Sequence, residues 1–189
     1  MCLVSSLDDL RLLPALVDAG VDAFQVRDKA ITARELVNLT QRVMAASGVT
    51  VVVNDRLDVA LAAGADGVHL GVDDVSVAHA RRVAPRLLIG ATCRDRGEVR
   101  TAKGDGADYV GVGPVFATVS KVGLPPPLGV ASLADTVGAL PVLAIGGITV
   151  DRAPAVAAAG AHGIAVIGGI WSAPDPVAAA AALAEAVSR

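Results

Sequence analysis

The sequence predicts a compact (β/α)8 TIM barrel, and three observations carry that prediction: a four-fold internal echo, short apolar runs between the echoes, and helix-length stretches alternating with both. The echo comprises Ala19-Gly-Val-Asp-Ala-Phe-Gln-Val-Arg27, Ala63-Gly-Ala-Asp-Gly-Val-His-Leu-Gly71, Asp105-Gly-Ala-Asp-Tyr-Val-Gly-Val-Gly113 and Ala159-Gly-Ala-His-Gly-Ile-Ala-Val-Ile167. In each, a glycine ends a helix, a tight turn follows, and a buried strand begins. The runs Val49 to Val53, Leu87 to Ala91 and Val142 to Ile145 are β-branched or aliphatic and too short for helices, so they read as strands of the same kind. A weak first strand at Cys2 to Val4 makes eight.

Helices are expected over residues 8–19, 33–47, 57–64, 75–84, 96–105, 130–139, 150–160 and 175–188. Alternating elements imply parallel strands joined by right-handed crossovers, and eight strands favour closure over an open, doubly wound sheet, the main rival. At 189 residues the chain reads as one domain over 1–189. Barrels of this type usually run to about 250 residues, so the loops must be short.

Composition excludes several classes of function. The chain is 53% hydrophobic, 19% charged and 2% aromatic, and its mean hydropathy of +0.59 comes from Ala, Val and Leu spread throughout. No apolar run approaches the roughly 20 residues that span a bilayer, and the N-terminus carries no basic segment ahead of an apolar one. A net charge of −3 and so few aromatic residues argue against nucleic-acid binding. Two cysteines, Cys2 and Cys93, make neither a disulfide framework nor a metal cage, and a cytoplasmic location is expected. Any anion must be held by a local cluster.

In a barrel that cluster belongs where strands exit into helices. The exits carry Gln25, Arg27 and Lys29 after strand two, Asn54, Asp55 and Arg56 after strand three, and Asp73 and Asp74 after strand four. Strand five exits through Thr92, Cys93 and Arg94, and strand six into a long polar loop containing Thr118, Ser120 and Lys121. Strands seven and eight exit through Gly146-Gly147 and Gly168-Gly169. Exposed backbone N–H groups at paired glycines suit a phosphate, although one such pair alone would mark only a turn. Asp55 and Asp74 beside this basic rim suit Mg²⁺, whose shell usually takes one or two carboxylates with phosphate and water. Each has a plainer reading: Asp73 or Asp74 as a cap of the helix beginning near Val75, and Asp55 as the partner of Arg56 or of a neighbouring turn. His69, between buried Val68 and Leu70, reads as a satisfied structural histidine, and Cys93 lacks a nearby histidine to activate it.

Gln25-Val-Arg-Asp-Lys29, Val53-Asn-Asp-Arg-Leu-Asp-Val-Ala60, Gly64-Ala-Asp-Gly-Val-His-Leu-Gly71 with Asp74, Gly106-Ala-Asp-Tyr-Val-Gly-Val-Gly-Pro-Val-Phe116 with Thr118 and Lys121, and Ala144-Ile-Gly-Gly-Ile148 resemble the thiamine phosphate synthase and TenI superfamily over nearly the whole chain. The resemblance implies an enzyme that joins hydroxymethylpyrimidine diphosphate to thiazole phosphate and releases diphosphate. It implies Mg²⁺ on Asp55 and Asp74, the diphosphate on Arg27, Lys29, Asn54 and Lys121, and the pyrimidine on Gln25. Thr118, Ser120, Gly147, Gly168 and Gly169 would receive the thiazole phosphate, with Thr92 also in the substrate site. Lys29 and Lys121 would be the catalytic cations. The expected partners are these small molecules and, in a homo-oligomer, further copies of the chain.

Some positions depart from the synthase pattern. Val4-Ser5-Ser6 stands where an Asp-containing turn is usual, Thr92 and Ser120 exchange one hydroxyl residue for another, Arg94 replaces a histidine, and Gly168 replaces a serine. The segment from Gly163 to Ser172 and Lys121-Val-Gly-Leu124 look closer to the TenI-type thiazole tautomerases, whereas Pro114 stands where their histidine would lie. The tautomerase and a non-catalytic binder of thiazole or thiamine phosphate are the alternatives to the synthase.

Overall fold

The computed structural model describes residues 1–118 and 123–188. Its strands are β1 (Cys2–Val4), β2 (Ala23–Val26), β3 (Thr50–Asn54), β4 (Gly67–Leu70), β5 (Leu88–Cys93), β6 (Tyr109–Val112), β7 (Val142–Ile145) and β8 (Gly163–Ala165). They form one parallel sheet in chain order. A bridge between Cys2 and Val166, with Leu3 N–H donating to the Val166 carbonyl at 3.1 Å, joins the last strand to the first. That contact removes the free edges an open doubly wound sheet would have.

The echo seen in sequence is a repeated helix stop. Gly20, Gly64, Gly106 and Gly160 all have positive φ, between 71° and 100°, and each precedes an even-numbered strand. The aspartate in the repeat has a further task. Asp66 accepts from Val51 N–H at 2.8 Å and Asp108 from Ile89 N–H at 2.7 Å, so the turns before β4 and β6 pin the starts of β3 and β5.

The helices are α1 (Leu13–Asp18), α2 (Ala33–Ser47), α3 (Leu57–Ala63), α4 (Val77–Val83), α5 (Arg96–Asp105), α6 (Gly129–Thr136), α7 (Ala153–Ala158), α8 (Gly168–Trp171) and α9 (Pro176–Val187). Local chemistry sets their starts: Thr32 and Glu35 form a capping box on α2, and Ser76, Asp95 and Asp175 cap α4, α5 and α9. Two elements differ from the sequence expectation. Residues 8–19 are not one helix; a 3-10 stretch at Leu7–Leu12 precedes an α1 that starts beside Pro14, which has no N–H to donate. The Gly168-Gly169 pair does not form an open turn but opens the short α8, held by Trp171 Nε1–H donating to the Leu3 carbonyl at 2.6 Å.

Strand alternation separates two environments. Phe24, Val26, Val51, Val53, Val68, Ile89, Val110 and Val112 are fully buried and join the hydrophobic cluster made with the helices. The alternate positions Leu3, Gln25, His69, Thr92, Tyr109, Leu143 and Ile145 line a cavity of about 550 Å³ inside the barrel mouth. Glycines make that interior possible: a Cβ on Gly90 would lie 2.5 Å from Tyr109 Oη and 2.6 Å from His69 Nδ1.

Candidate active site

The cavity has two chemically different ends. At the first, β2 brings Gln25 and Arg27 to the lining and β3 brings Asn54, with Asp55 the next residue along the chain, outside the lining. Gln25 is only 5% exposed, and its Nε2–H donates to Asn54 Oδ1 at 2.6 Å, so the two amides hold each other's orientation. Lys29 Nζ lies 2.9 Å from Asp55 Oδ2.

Asp55 has a φ of 64°, the one non-glycine residue with positive φ among the described residues. Aspartate tolerates this left-handed region better than most residues, at a cost of about 1 kcal/mol or more, and such strain collects at functional sites. Its N–H donates to the His69 carbonyl at 2.8 Å, which extends the β3–β4 pairing and fixes where the carboxylate emerges.

The two acids find partners other than Arg56 and the N-terminus of α4. Arg56 grips Asp58, with Nε–Oδ1 at 2.8 Å and Nη2–Oδ2 at 2.6 Å, and leaves Asp55 to Lys29. Asp74 does not cap α4, a task Ser76 performs; its Oδ2 accepts from Gly71 N–H at 2.7 Å. Burial pushes the Asp74 carboxyl above its ordinary range, the Gly71 N–H opposes that shift, and the neighbouring Asp55 carboxylate adds to it. Two neighbouring carboxyl groups are a donor set suited to a hard divalent cation such as Mg²⁺. No cluster of three or more His, Cys, Asp or Glu side chains occurs among the described residues, so a cation here would draw its other ligands from substrate and water.

The second end is mostly backbone. Gly146 and Gly147, with φ of 96° and 64°, carry the chain out of β7 directly beneath the β6 exit. Val115 N–H and Phe116 N–H donate to the Ile145 and Gly146 carbonyls at 2.9 and 3.0 Å, and a Cβ on Gly147 would overlap the Ala117 carbonyl. These glycines are therefore required by close loop packing as well as suited to an anion. Thr118, Gly147, Gly168 and Gly169 line this end, as does Arg152. Ser120 and Lys121 lie outside the described residues.

Between the ends, His69 Nδ1 contacts Tyr109 Oη at 3.2 Å and its Nε2 contacts Thr92 Oγ1 at 3.1 Å. Burial lowers the imidazole pKa to about 4, with Asp55 only partly opposing, so the ring is neutral at physiological pH. The histidine is satisfied, as expected, yet it is also part of the cavity wall. Cys93 is 2% exposed and its thiol is pushed up to about 12 by burial, with Glu98 and Asp95 adding to the shift, so it stays protonated. Arg94 donates to the Pro126 carbonyl at 2.9 Å, bracing the far side of the β6 exit loop.

Sequence reasoning missed Arg152, Phe116 and the Tyr109–His69–Thr92 chain. A signal existed for Arg152: a basic residue at a helix start runs against the usual preference for acids there.

Residues 2–170 match the family model described as thiamine monophosphate synthase. A thiamine-phosphate synthase of Anaeromyxobacter dehalogenans is 49% identical over 184 residues, covering 95% of this chain and 83% of that protein. The thiamine biosynthesis bifunctional protein ThiM/ThiE of Symbiobacterium thermophilum is 46% identical over 99% of this chain, which spans 40% of that longer protein. The solved structure of a thiamine phosphate pyrophosphorylase from Pyrococcus furiosus superposes with a TM-score of 0.88 at 32% identity, covering 99% of this chain and 94% of that one. On the family match, the identity and the shared barrel together, this chain belongs to the thiamine monophosphate synthase family.

Proposed function

We propose that this chain is a thiamine-phosphate synthase, joining hydroxymethylpyrimidine diphosphate to thiazole phosphate with release of diphosphate. The observation that carries the reading is the two-ended cavity, with Gln25, Arg27 and Asn54 lining one end, Lys29, Asp55 and Asp74 grouped beside Asn54, and the glycine-lined exits of β7 and β8 at the other end. Two substrates bearing phosphate groups can enter such a cavity from opposite ends and meet over its floor.

On this reading Arg27, Lys29 and Asn54 hold the diphosphate, with Lys121 as a further cation. Gln25, oriented by Asn54, receives the pyrimidine. Thr118, Ser120, Gly147, Gly168 and Gly169 receive the thiazole phosphate. Asp55 and Asp74 would hold Mg²⁺, which when bound neutralises charge on the leaving diphosphate. Breaking the carbon–oxygen bond leaves positive charge on the pyrimidine methylene and negative charge on the diphosphate. Lys29 and Lys121 stabilise the leaving anion, and the fixed walls hold the thiazole nitrogen against the cationic carbon. The neutral His69 adds no competing positive charge to the floor. No protein nucleophile is needed.

No helix among the described residues is long and apolar enough to cross a membrane, and two free, buried thiols accord with a cytoplasmic location. The test is an assay with both substrates, with Mg²⁺ and with EDTA, following thiamine phosphate and diphosphate together. Metal-dependent formation of both in equal amounts is expected; binding of thiazole phosphate without turnover would favour the tautomerase or the silent binder.

A further inference from the structure

We infer that Arg152 is a specificity-determining residue, recognising the phosphate of the thiazole substrate and setting the preference for the phosphorylated over the unphosphorylated form. This rests on the synthase reading for the identity of the substrate. Arg152 itself is placed by geometry. It sits at the start of α7, lines the cavity with Gly147, Gly168 and Gly169, and bridges two loops. Its Nη1–H donates to the Gly147 carbonyl at 2.7 Å, and its guanidinium carbon stands 4.9 Å from the centre of the Phe116 ring.

These contacts hold the side chain without neutralising it. Arg152 has no ion pair among the described residues. The adjacent acid, Asp151, accepts from Thr149 Oγ1–H at 2.6 Å and reaches Arg152 only through space, its carboxyl held below the ordinary range first by that hydrogen bond and least by the arginine's charge. A guanidinium has five N–H donors in a planar fork that matches a phosphate face, and the Gly147 contact uses one of them. Stacking on Phe116 restrains the plane, which lowers the entropy lost when an anion docks. Lys29, at the opposite end, is already paired with Asp55. Arg152 is thus the cation that lines the β7–β8 end without a direct ion pair among the described residues.

The test is calorimetric titration of the full chain with thiazole phosphate and, separately, with the corresponding unphosphorylated thiazole alcohol. The wild-type chain should favour the phosphate form by more than tenfold, and Arg152→Gln should reduce that preference by about tenfold, the scale of one charge-assisted hydrogen bond. Arg152→Lys, which keeps the charge but not the fork, should recover part of the preference. In turnover, Arg152→Gln should raise KM for thiazole phosphate and leave KM for the pyrimidine diphosphate unchanged. An Arg152→Gln chain with the wild-type preference, or a wild-type chain with none, overturns the assignment. Failure of the synthase reading gives a different result, no metal-dependent thiamine phosphate from the wild-type chain, and the binding ratio still decides the role of Arg152.

Discussion

The two ends of the candidate site are built by different means. The β2–β4 end uses side chains, with a strained Asp55, a Lys29 partner 2.9 Å away and a second carboxyl on Asp74. The β7–β8 end uses bare backbone, where Gly146 and Gly147 adopt positive φ under the Phe116–Ala117 backbone and a single arginine closes over them. At the first end, chemistry is obtained against local conformational preference; at the second, conformation and chemistry ask for the same residue. Substitution should therefore separate stability from activity at the first end and join them at the second.

The largest effect is expected at Asp55. Asp55→Asn keeps a residue that tolerates φ of 64° but removes the charge, and turnover should fall by about 10²–10³, the scale of losing one electrostatic stabiliser. Asp55→Gly should lose as much turnover while relieving backbone strain, with thermal stability equal to or up to about 1 kcal/mol above wild type. Parallel melting curves and rates check both halves. An active Asp55→Asn chain removes Asp55 from metal binding.

Gly147→Ala should show the opposite coupling. The new Cβ meets the Ala117 carbonyl in a left-handed conformation, so the β6 and β7 exits must separate, at a cost of about 2–4 kcal/mol. Affinity for thiazole phosphate should fall together with the melting temperature, and wild-type values for either would break the comparison.

How much of this was legible in sequence follows the same division. The barrel was readable because the helix stops at Gly20, Gly64, Gly106 and Gly160 and the apolar strands after them are local signals, repeated four times. The second task of Asp66 and Asp108 was not, because each bonds the backbone of a different strand. Exit positions of Gln25, Asn54, Asp55 and Asp74 could be counted along the chain. Their partners could not: Asp55 selects Lys29 over adjacent Arg56 because its backbone turns to positive φ, which a list of residues does not display. His69 was correctly read as satisfied, but facing the cavity depends on barrel closure, and Gly90 and Gly111 leave the space it occupies.

His69, between the two ends, gives a test of intermediate size. Its pKa in the folded chain is about 4, below the ordinary 6.5, so the unfolded chain binds more protons between these values. Stability from the neutral ring is fully present above pH 6.5 and is lost as pH falls toward 4. The total is at most about 3 kcal/mol, and less to the extent that cavity water reaches the ring. His69→Gln should flatten the pH dependence of denaturant stability over this window. An unchanged slope would mean that the ring titrates normally.

The smallest effect is expected one turn from the largest. Arg56 and Asp58 make an ion pair at 2.6 Å, shorter than the Lys29–Asp55 pair, but their side chains are 43% and 65% exposed, against 23% for Asp55. Hydrogen bonding to Arg56 holds the Asp58 carboxyl below its usual range, yet solvent screens the pair, and such contacts are worth about 0–1 kcal/mol. Asp58→Ala should shift stability by less than about 0.5 kcal/mol after screening and leave turnover at the wild-type rate. The contrast with Asp55 then rests on surroundings: Asp55, 23% exposed and paired with Lys29, has the Asp74 carboxyl beside it, while its neighbour three positions on pairs only with Arg56 at the start of α3. A large loss of turnover in Asp58→Ala would place Arg56 at the diphosphate and move the boundary of the charged end outward.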